Sequence, residues 1–193
     1  MMSKGEETKQ KIVNSAILLF STKGYDQTSI RDIAQQVNIK APSIYAYFSS
    51  KEELFEQVLN FVMNDYQQFI HSQANAIHHL SVKEQLYTLL HVLNDYFYEY
   101  ELGHFISRYV MLSPEQFKET VIQKYQQSEE EIKDLLRSIL TTESEKYIDT
   151  DIIIMSFLCM LDGMLFYMIN FSQAEYEKRL KASWEVFWKG ILQ

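Results

Sequence analysis

Five histidines and one cysteine are the side chains best suited to catalysis or metal binding, and their spacing favours neither. The histidines are His71, His78, His79, His91 and His104. None belongs to an H-E-x-x-H segment, and the chain has no nucleophile elbow and no phosphate-binding loop. Adjacent residues on a helix point about 100° apart, so His78 and His79 are poorly placed to chelate one ion. We therefore expect no catalytic residue, no cofactor and no metal site; a helical enzyme or metal-binding protein is the weaker alternative.

The single cysteine, Cys159, rules out an intrachain disulfide and a multi-cysteine zinc module. A lone cysteine in an apolar helix usually behaves as a small buried hydrophobe, and a redox-sensing regulator acting through Cys159 is the alternative reading. A reducing compartment suits this cysteine content, and no apolar stretch follows the opening Met-Met-Ser-Lys-Gly-Glu-Glu. We expect a cytoplasmic protein.

The segment Lys23–Leu54 has the most informative pattern of polar residues. Gly24 stands where a first helix should end, because glycine adopts positive φ at little cost. Ser29, with Asp32 three residues later, predicts the start of a short second helix. Asn38 tolerates the left-handed conformation, which predicts a tight turn after that helix. Pro42 fits the first turn of a third helix.

The third helix is short and has two different sides. Ile44 and Phe48 are left to anchor it inward. Polar side chains occupy its start and one side: Lys40, Ser43, Tyr45 and Tyr47. Two short helices joined by a tight turn, the second presenting polar groups, are typical of a helix-turn-helix with a recognition helix.

With these residues in place, the segment resembles the head of the TetR family of transcriptional repressors. The resemblance covers about the first 55 residues. Two stretches depart from the family pattern, Val37–Lys40 in the turn and Pro42–Ile44 before the tyrosine. The residues that match, in order and spacing, are Gly24, Thr28, Ser29, Ile33, Ala34, Tyr45, Tyr47, Phe48, Lys51, Glu52 and Leu54.

The resemblance implies two kinds of contact with double-stranded operator DNA. Thr28 and Ser29 at one helix start and Lys51 at another would contact phosphates, because helix N-termini and cations both favour an anion. Arg31 would reach the edge of the groove. The residues that would line the major groove and read the bases are Lys40, Ala41, Pro42, Ser43, Tyr45 and Tyr47.

One head would bind weakly, so we expect a homodimer that spaces two heads for a palindromic operator. Ile152–Phe171 is apolar on nearly all sides, and the last helix has a heavy aromatic face. The resemblance implies that this pair of helices forms a four-helix bundle with its copy. The expected dimerisation residues are Gly163, Tyr167, Leu180, Trp184, Phe187 and Trp188.

A small, hydrophobic inducer is expected to bind the C-terminal body and release the DNA. The middle helices have more aromatic residues and methionines than packing requires. His104 and Arg108 favour an anionic ligand, whereas Asp162 and Glu99 favour a cationic one, and the sequence leaves this choice open. The expected ligand-binding residues are Tyr96, Phe97, Phe105, Arg108, Tyr109, Phe117, Met155, Cys159, Asp162 and Phe166.

Capping residues and apolar periodicity predict the helices that would position these groups. The chain has 193 residues, 47% of them hydrophobic, with only 5 Gly and 2 Pro, which favours an all-α fold. We expect a helix-turn-helix DNA-binding domain over 1–50 and a ligand-binding and dimerisation domain over 51–193. The predicted helices, nine in number, are 6–23, 29–36, 41–47, 51–78, 82–101, 103–112, 114–141, 150–171 and 173–191.

Charge is distributed unevenly between these two parts. The net charge is −8, yet residues 1–53 contain seven Lys and Arg against six Asp and Glu, so the remainder carries −9. DNA repels an acidic surface, so this distribution favours an arrangement in which the near-neutral N-terminal head, and not the acidic body, approaches DNA. Ile152–Phe171 also has the length of a membrane span, but Asp162 at its centre argues against insertion, and we expect no membrane partner.

Overall fold

Helices alone build the computed structural model, which describes residues 3–192; Met1, Met2, Gln193 and the side chain of Ile169 lie outside the description. Within it there is no β-sheet, and the all-α prediction is confirmed. Two short 3₁₀ turns, Glu115–Phe117 and Ser144–Lys146, lie between helices. The α-helices are α1 (Lys4–Lys23), α2 (Ile30–Val37), α3 (Ala41–Ile44), α4 (Lys51–Ile77), α5 (Val82–Glu99), α6 (Glu101–Met111), α7 (Lys118–Thr141), α8 (Thr150–Asn170) and α9 (Gln173–Gly190).

Local capping explains where most of these helices begin. The expected capping box of Ser29 with Asp32 is formed, and Ser81 forms another with Glu84 at the start of α5. Ser172 accepts from the backbone N–H of Glu175 at 3.4 Å at the start of α9. An additional capping box at Ser3 starts α1 two residues before the predicted position. Each cap satisfies N–H groups that have no partner within the helix.

Two predicted helix boundaries differ from the structure by three or four residues. Helix α3 ends at Ile44 rather than at residue 47, and the backbone N–H groups of Tyr47 and Phe48 both donate to the Ile44 carbonyl, at 2.9 and 3.0 Å. Pro114 has ψ 140°, which is extended, so it precedes a 3₁₀ turn instead of starting α7. The Ser113 hydroxyl has no hydrogen-bond partner in the described chain and caps nothing.

The chain divides into two compact units. The first comprises the residues up to Asp65 together with Glu101–Lys124, so it contains the three N-terminal helices, the first half of α4, and α6. The second comprises Tyr66–Tyr100 and the residues from Tyr125 onward. The division at residue 50 is a functional one and stays a prediction.

An aromatic cluster forms the core of the first unit. Phe55 of α4 is fully buried and lies at its centre. Its ring centroid is 5.5 Å from that of Phe20, 4.9 Å from that of Tyr109 and 4.3 Å from that of Phe117. Aromatic side chains bury large areas and favour such tilted contacts. The core therefore joins α1, α4 and α6 in one packed body.

Helix α8 is apolar along most of its length, but much of it faces outward in the protomer. Thr150–Met168 is long and apolar enough to cross a membrane by length and composition, with 44% of that window buried. Ile152, Met155 and Phe166 are all about half exposed or more, at 58, 55 and 49%. A contiguous apolar face of this kind usually marks an interaction site.

Candidate DNA-binding surface

Helices α2 and α3 meet at a tight turn that orients the recognition helix. Asn38 is left-handed, with φ 59° and ψ 45°, and is the one non-glycine residue with positive φ in the described chain. The backbone N–H of Ile39 donates to the Ala34 carbonyl at 2.9 Å. Ile33 and Ile44 are fully buried beneath the two helices. The prediction that Asn38 forms the turn is confirmed.

Gly24 ends α1 as its type predicts. Its backbone has φ 90° and ψ 164°, a region essentially restricted to glycine, and its N–H donates to the Phe20 carbonyl at 3.0 Å. Thr28 closes the same turn, because its hydroxyl donates to the Gly24 carbonyl at 2.8 Å. The phosphate contact expected at this helix start stays a prediction, although the Thr28 side chain is only 1% exposed. Its role is to hold the start of α2.

Lys51 also acts mainly inside the head. Its ammonium donates to the carbonyls of Tyr25 and Thr28, at 2.8 and 3.0 Å, and lies 4.0 Å from the centroid of the Tyr25 ring. The Tyr25 hydroxyl donates to Glu52 at 2.9 Å. Burial, and then that carboxylate, raise the pKa of Tyr25. These contacts fix the first turn of α4 against the start of α2, so Lys51 positions the surface rather than simply extending from it.

Most of the predicted contact residues, Thr28 and Lys51 included, line two adjoining grooves. An open cleft of about 770 Å³ contains Ser29, Arg31 and Tyr45, and a shallower groove of about 570 Å³ contains Lys40. Arg31, Ala41 and Pro42 border both. Ser43 is exposed and Tyr47 half-buried, and neither lines these two grooves. The residues that the predictions missed in the shallower groove are Ala34, Gln35, Asn38 and Ile39; only the turn preference of Asn38 indicated one of them.

Electrostatics at the start of α2 depend on Asp32. Its carboxylate accepts from the backbone N–H and the hydroxyl of Ser29, at 2.8 and 2.6 Å. These hydrogen bonds, with Lys23 3.9 Å away, hold the pKa of Asp32 below its ordinary value. Arg31 and Lys40, next to this cap and to the turn, have exposed cationic side chains. The surface therefore offers cations suited to a polyanion.

Helix α6 is attached to the end of α1 within the same unit. The Arg108 guanidinium donates to the carbonyls of Ser21 and Lys23, at 3.3 and 3.4 Å, and the Tyr109 hydroxyl donates to the Phe20 carbonyl at 3.1 Å. A cation at a helix C-terminus is favourable because the last carbonyls lack partners within the helix. These contacts hold the base of the DNA-binding head.

The expected ligand-binding residues are divided between the two units. Phe105, Arg108, Tyr109 and Phe117 belong to the first unit, where the three aromatic residues pack in its core. Tyr96 and Phe97 are buried in the second unit, at 1 and 2% exposure. Asp162 accepts a hydrogen bond from Tyr125 at 2.8 Å. The interior placement expected for the remaining three is wrong, because they are exposed along α8: Met155, Cys159 and Phe166.

The expected dimerisation residues also separate into two groups. Leu180 and Trp184 are 1 and 7% exposed, so they belong to the protomer core and their assignment to the seam is wrong. Trp184 stacks on Trp188 with centroids 5.9 Å apart. Gly163, Tyr167, Phe187 and Trp188 are partly exposed. Val186, 74% exposed, was missed because the residues three and four positions away from it form no large apolar stripe: Ala182, Ser183, Lys189 and Gly190.

Metal-binding clusters of three or more His, Cys, Asp or Glu do not occur in residues 3–192. Two of the histidines have individual partners. Nε2 of His71 lies 2.8 Å from Oε2 of Glu131, and Nδ1 of His78 lies 2.7 Å from the Asn75 carbonyl oxygen. Cys159 is exposed, contrary to the expectation of a buried cysteine. Oxidation at this position stays an untested alternative.

Comparison with known proteins agrees with this geometry. Residues 12–58 match the model for bacterial regulatory proteins of the tetR family. The biofilm operon icaADBC HTH-type negative transcriptional regulator IcaR of Staphylococcus aureus (strain Newman) is 35% identical over 143 residues, 73% of this chain and 69% of that relative. This chain belongs to the TetR family. TetR-family proteins are regulators, and the expectation that the chain is not an enzyme is confirmed.

Further TetR-family relatives and folds are similar to this chain. IcaR of Staphylococcus epidermidis (strain RP62A) is 42% identical over 62 residues, 32% of this chain and 34% of that protein. A TetR regulator from Chloroflexus aurantiacus J-10-FL has TM-score 0.81 at 18% identity, with 99% of each chain covered. The Bacillus subtilis regulator FadR in complex with stearoyl-CoA has TM-score 0.68 at 20% identity, covering 94% of this chain and 98% of that one. These structural likenesses establish the TetR fold.

Proposed function

We propose that this TetR-family protein is a transcriptional repressor that binds a palindromic operator as a homodimer. The observation that supports this most directly is the surface of α2 and α3. There, exposed Arg31, Lys40 and Tyr45 lie around a rigid turn and two grooves. Cations of this kind neutralise phosphates, and polar side chains on the recognition helix read base edges. The IcaR relatives are named as negative regulators, which supports repression.

In this proposal two copies of the chain dimerise through the outer face of α8 and α9, and the second copy provides the second DNA-binding head. Exposed Met155, Phe166 and Val186 are too apolar to be left in water as a contiguous face. A groove of about 610 Å³ between the two helices contains Gly163 and Phe187. A second copy of the same face, related by two-fold symmetry, would bury these residues in a four-helix bundle.

Release of the operator by a small ligand completes the proposal. FadR, which has the same fold, binds stearoyl-CoA, and this chain would bind its own effector in the C-terminal body. Arg108 and Tyr109 give a route to the head within the first unit, because they hold the last carbonyls of α1. A ligand that favours a different position of α6 would shift the population of head geometries and weaken the fit to DNA.

Operator binding is tested by gel-shift titration with DNA flanking the protein's own coding region, at two salt concentrations and with competitor DNA. Tyr45→Ala should weaken specific binding by about tenfold or more, equivalent to about 1–3 kcal/mol for one base contact. Lys40→Ala should also weaken it, and a phosphate contact would lower the salt slope by about one.

Lys181→Ala is the matched control, because Lys181 is an exposed lysine of α9. It should leave the shift unchanged. If the Tyr45 and Lys40 variants bind as wild type while circular dichroism shows them folded, the assigned surface is wrong. If wild type shows no competitor-resistant shift with these fragments or with DNA selected from a random pool, the repressor proposal fails.

A further inference from the structure

A buried hydroxyl in the second unit lacks the partner that its position requires. Tyr66 of α4 is 1% exposed, and its hydroxyl has no hydrogen-bond partner in residues 3–192. Its ring lies 5.0 Å from that of Tyr96 and 5.1 Å from that of Phe97, measured between centroids. Buried polar groups are almost always paired, so an unpaired hydroxyl in this aromatic region is a candidate contact for a polar group of a bound ligand.

A carboxyl group without a cation lies close to that hydroxyl. Asp162 of α8 accepts from Tyr125 at 2.8 Å and interacts electrostatically with Tyr66. In the described chain it forms no ion pair with Lys, Arg or His, and its side chain is exposed to solvent. The next acidic group, Glu129, is paired with Lys133 at 2.6 Å. Asp162 is therefore the unneutralised charge of this region.

Aromatic faces extend from Tyr66 to the surface of the unit. Tyr96 contacts Phe69 with centroids 4.7 Å apart and stacks on Tyr100 at 5.3 Å. Tyr100 is 52% exposed. The negative faces of aromatic rings attract cations, and they bind quaternary ammonium groups in particular. Aromatic rings, a carboxylate and an orphan hydroxyl acceptor thus occur together.

Other ligand classes fit these groups less well. An anion would meet Asp162 and Glu129 with no free cation in reach among the groups that act on Asp162. A neutral apolar ligand would leave the Tyr66 hydroxyl unpaired, at the cost of burying an unsatisfied polar group. A cation satisfies the carboxylate by charge and the aromatic faces through their quadrupoles.

We propose that Tyr66, Tyr125 and Asp162 bind the charged group of an organic cation, with the aromatic rings beside Tyr66 contacting its apolar part. This resolves the choice of ligand charge that the sequence leaves open. The effector role of this cation rests on the proposed repressor function, whereas its binding does not.

Isothermal titration calorimetry of the full chain with 3-phenylpropylammonium, whose N–H groups can donate to the Tyr66 hydroxyl, tests the proposal. Two probes of similar size serve as comparisons, neutral 3-phenylpropan-1-ol and anionic 3-phenylpropionate. We expect the cation to bind and both comparisons to bind at least about tenfold more weakly, because only the cation gains the contact with the carboxylate. Equal binding of the alcohol, or no binding of the cation at millimolar concentration, would overturn the proposal.

Variants locate the site. Asp162→Asn keeps the shape and the Tyr125 hydrogen bond but removes the charge, and it should raise the Kd for the cation about tenfold. Tyr66→Phe should raise it by a smaller factor. Asp151→Asn is the matched control on the same helix, because Asp151 is exposed and 4.0 Å from Arg137, and it should leave the Kd unchanged. Unchanged binding by folded Asp162→Asn would place the cation elsewhere.

A gel shift with and without the cation separates this proposal from the repressor function. Cation binding with an operator complex that the cation does not release would leave the site standing and overturn its effector role. Cation binding without any operator complex would reject the repressor function alone.

Discussion

Replacing Gly24 by alanine should destabilise the head. The backbone there, φ 90° and ψ 164°, is essentially restricted to glycine, and a residue with a side chain costs about 1–3 kcal/mol in such a region. An added Cβ would lie 2.5 Å from Nη2 of Arg108 and 3.2 Å from its Cζ. The guanidinium must then move and give up its bonds to Ser21 and Lys23. Because those bonds are long, at 3.3 and 3.4 Å, their loss adds only about 1 kcal/mol.

Urea unfolding measures the total, which should be about 2–4 kcal/mol for Gly24→Ala. Gly190→Ala is the control, because an added Cβ there meets nothing within 4 Å and the backbone is not at positive φ. Arg108→Ala should cost about 1 kcal/mol, and the double variant should cost less than the sum of the singles, since Arg108 no longer obstructs the methyl group. A free energy of unfolding for Gly24→Ala within about 0.5 kcal/mol of wild type would refute both the strain and the contact.

Three further predictions concern other elements. Gly163→Ala should stabilise α8 by about 1 kcal/mol in the single chain, where the added Cβ meets nothing within 4 Å. It should nevertheless weaken the dimer, as measured by analytical ultracentrifugation. An unchanged dimer would place the dimer interface elsewhere. Tyr66→Phe should stabilise the ligand-free protein by about 1–3 kcal/mol in urea unfolding, and a loss of stability would show that the hydroxyl has a partner. The pKa of Asp32 is lowered in the folded protein, so its ionised carboxylate stabilises the fold above the ordinary pKa of 3.8. This stabilisation is lost as the pH falls through the folded pKa. Ser29→Ala removes hydrogen bonds that lower this pKa, so its thermal unfolding temperature should depend less on acid pH than that of wild type.

Helix starts were predictable from the sequence because their causes are local. Ser29 and Ser81 each find their capping partner three residues along the chain, and Asn38 tolerates the left-handed turn by itself. The short end of α3 was not predictable in this way. It depends on how Ile44 and Phe48 anchor beneath the head, which apolar periodicity does not reveal.

Burial on the long helices was harder to assign, since periodicity identifies an apolar side but not what covers it. Trp184 was assigned to the seam, yet it packs on Tyr87 within the protomer, with centroids 5.0 Å apart. Met155 was assigned to an interior cavity and lies outside. Thr28 and Lys51 were identified as important by the resemblance, but their hydrogen bonds to backbone carbonyls show that they shape the surface from within.

The packing of α6 against the head has a consequence for biosynthesis. Phe55 lies against Phe105 and Phe117, at centroid distances of 5.7 and 4.3 Å, although about fifty residues or more separate them along the chain. During translation, at roughly 5–20 residues per second, the N-terminal helices leave the ribosome seconds before the aromatic rings that cover them. The nascent head would therefore expose apolar surface throughout that interval, and we expect chaperones to bind it until α6 and the 3₁₀ turn that contains Phe117 have been synthesised.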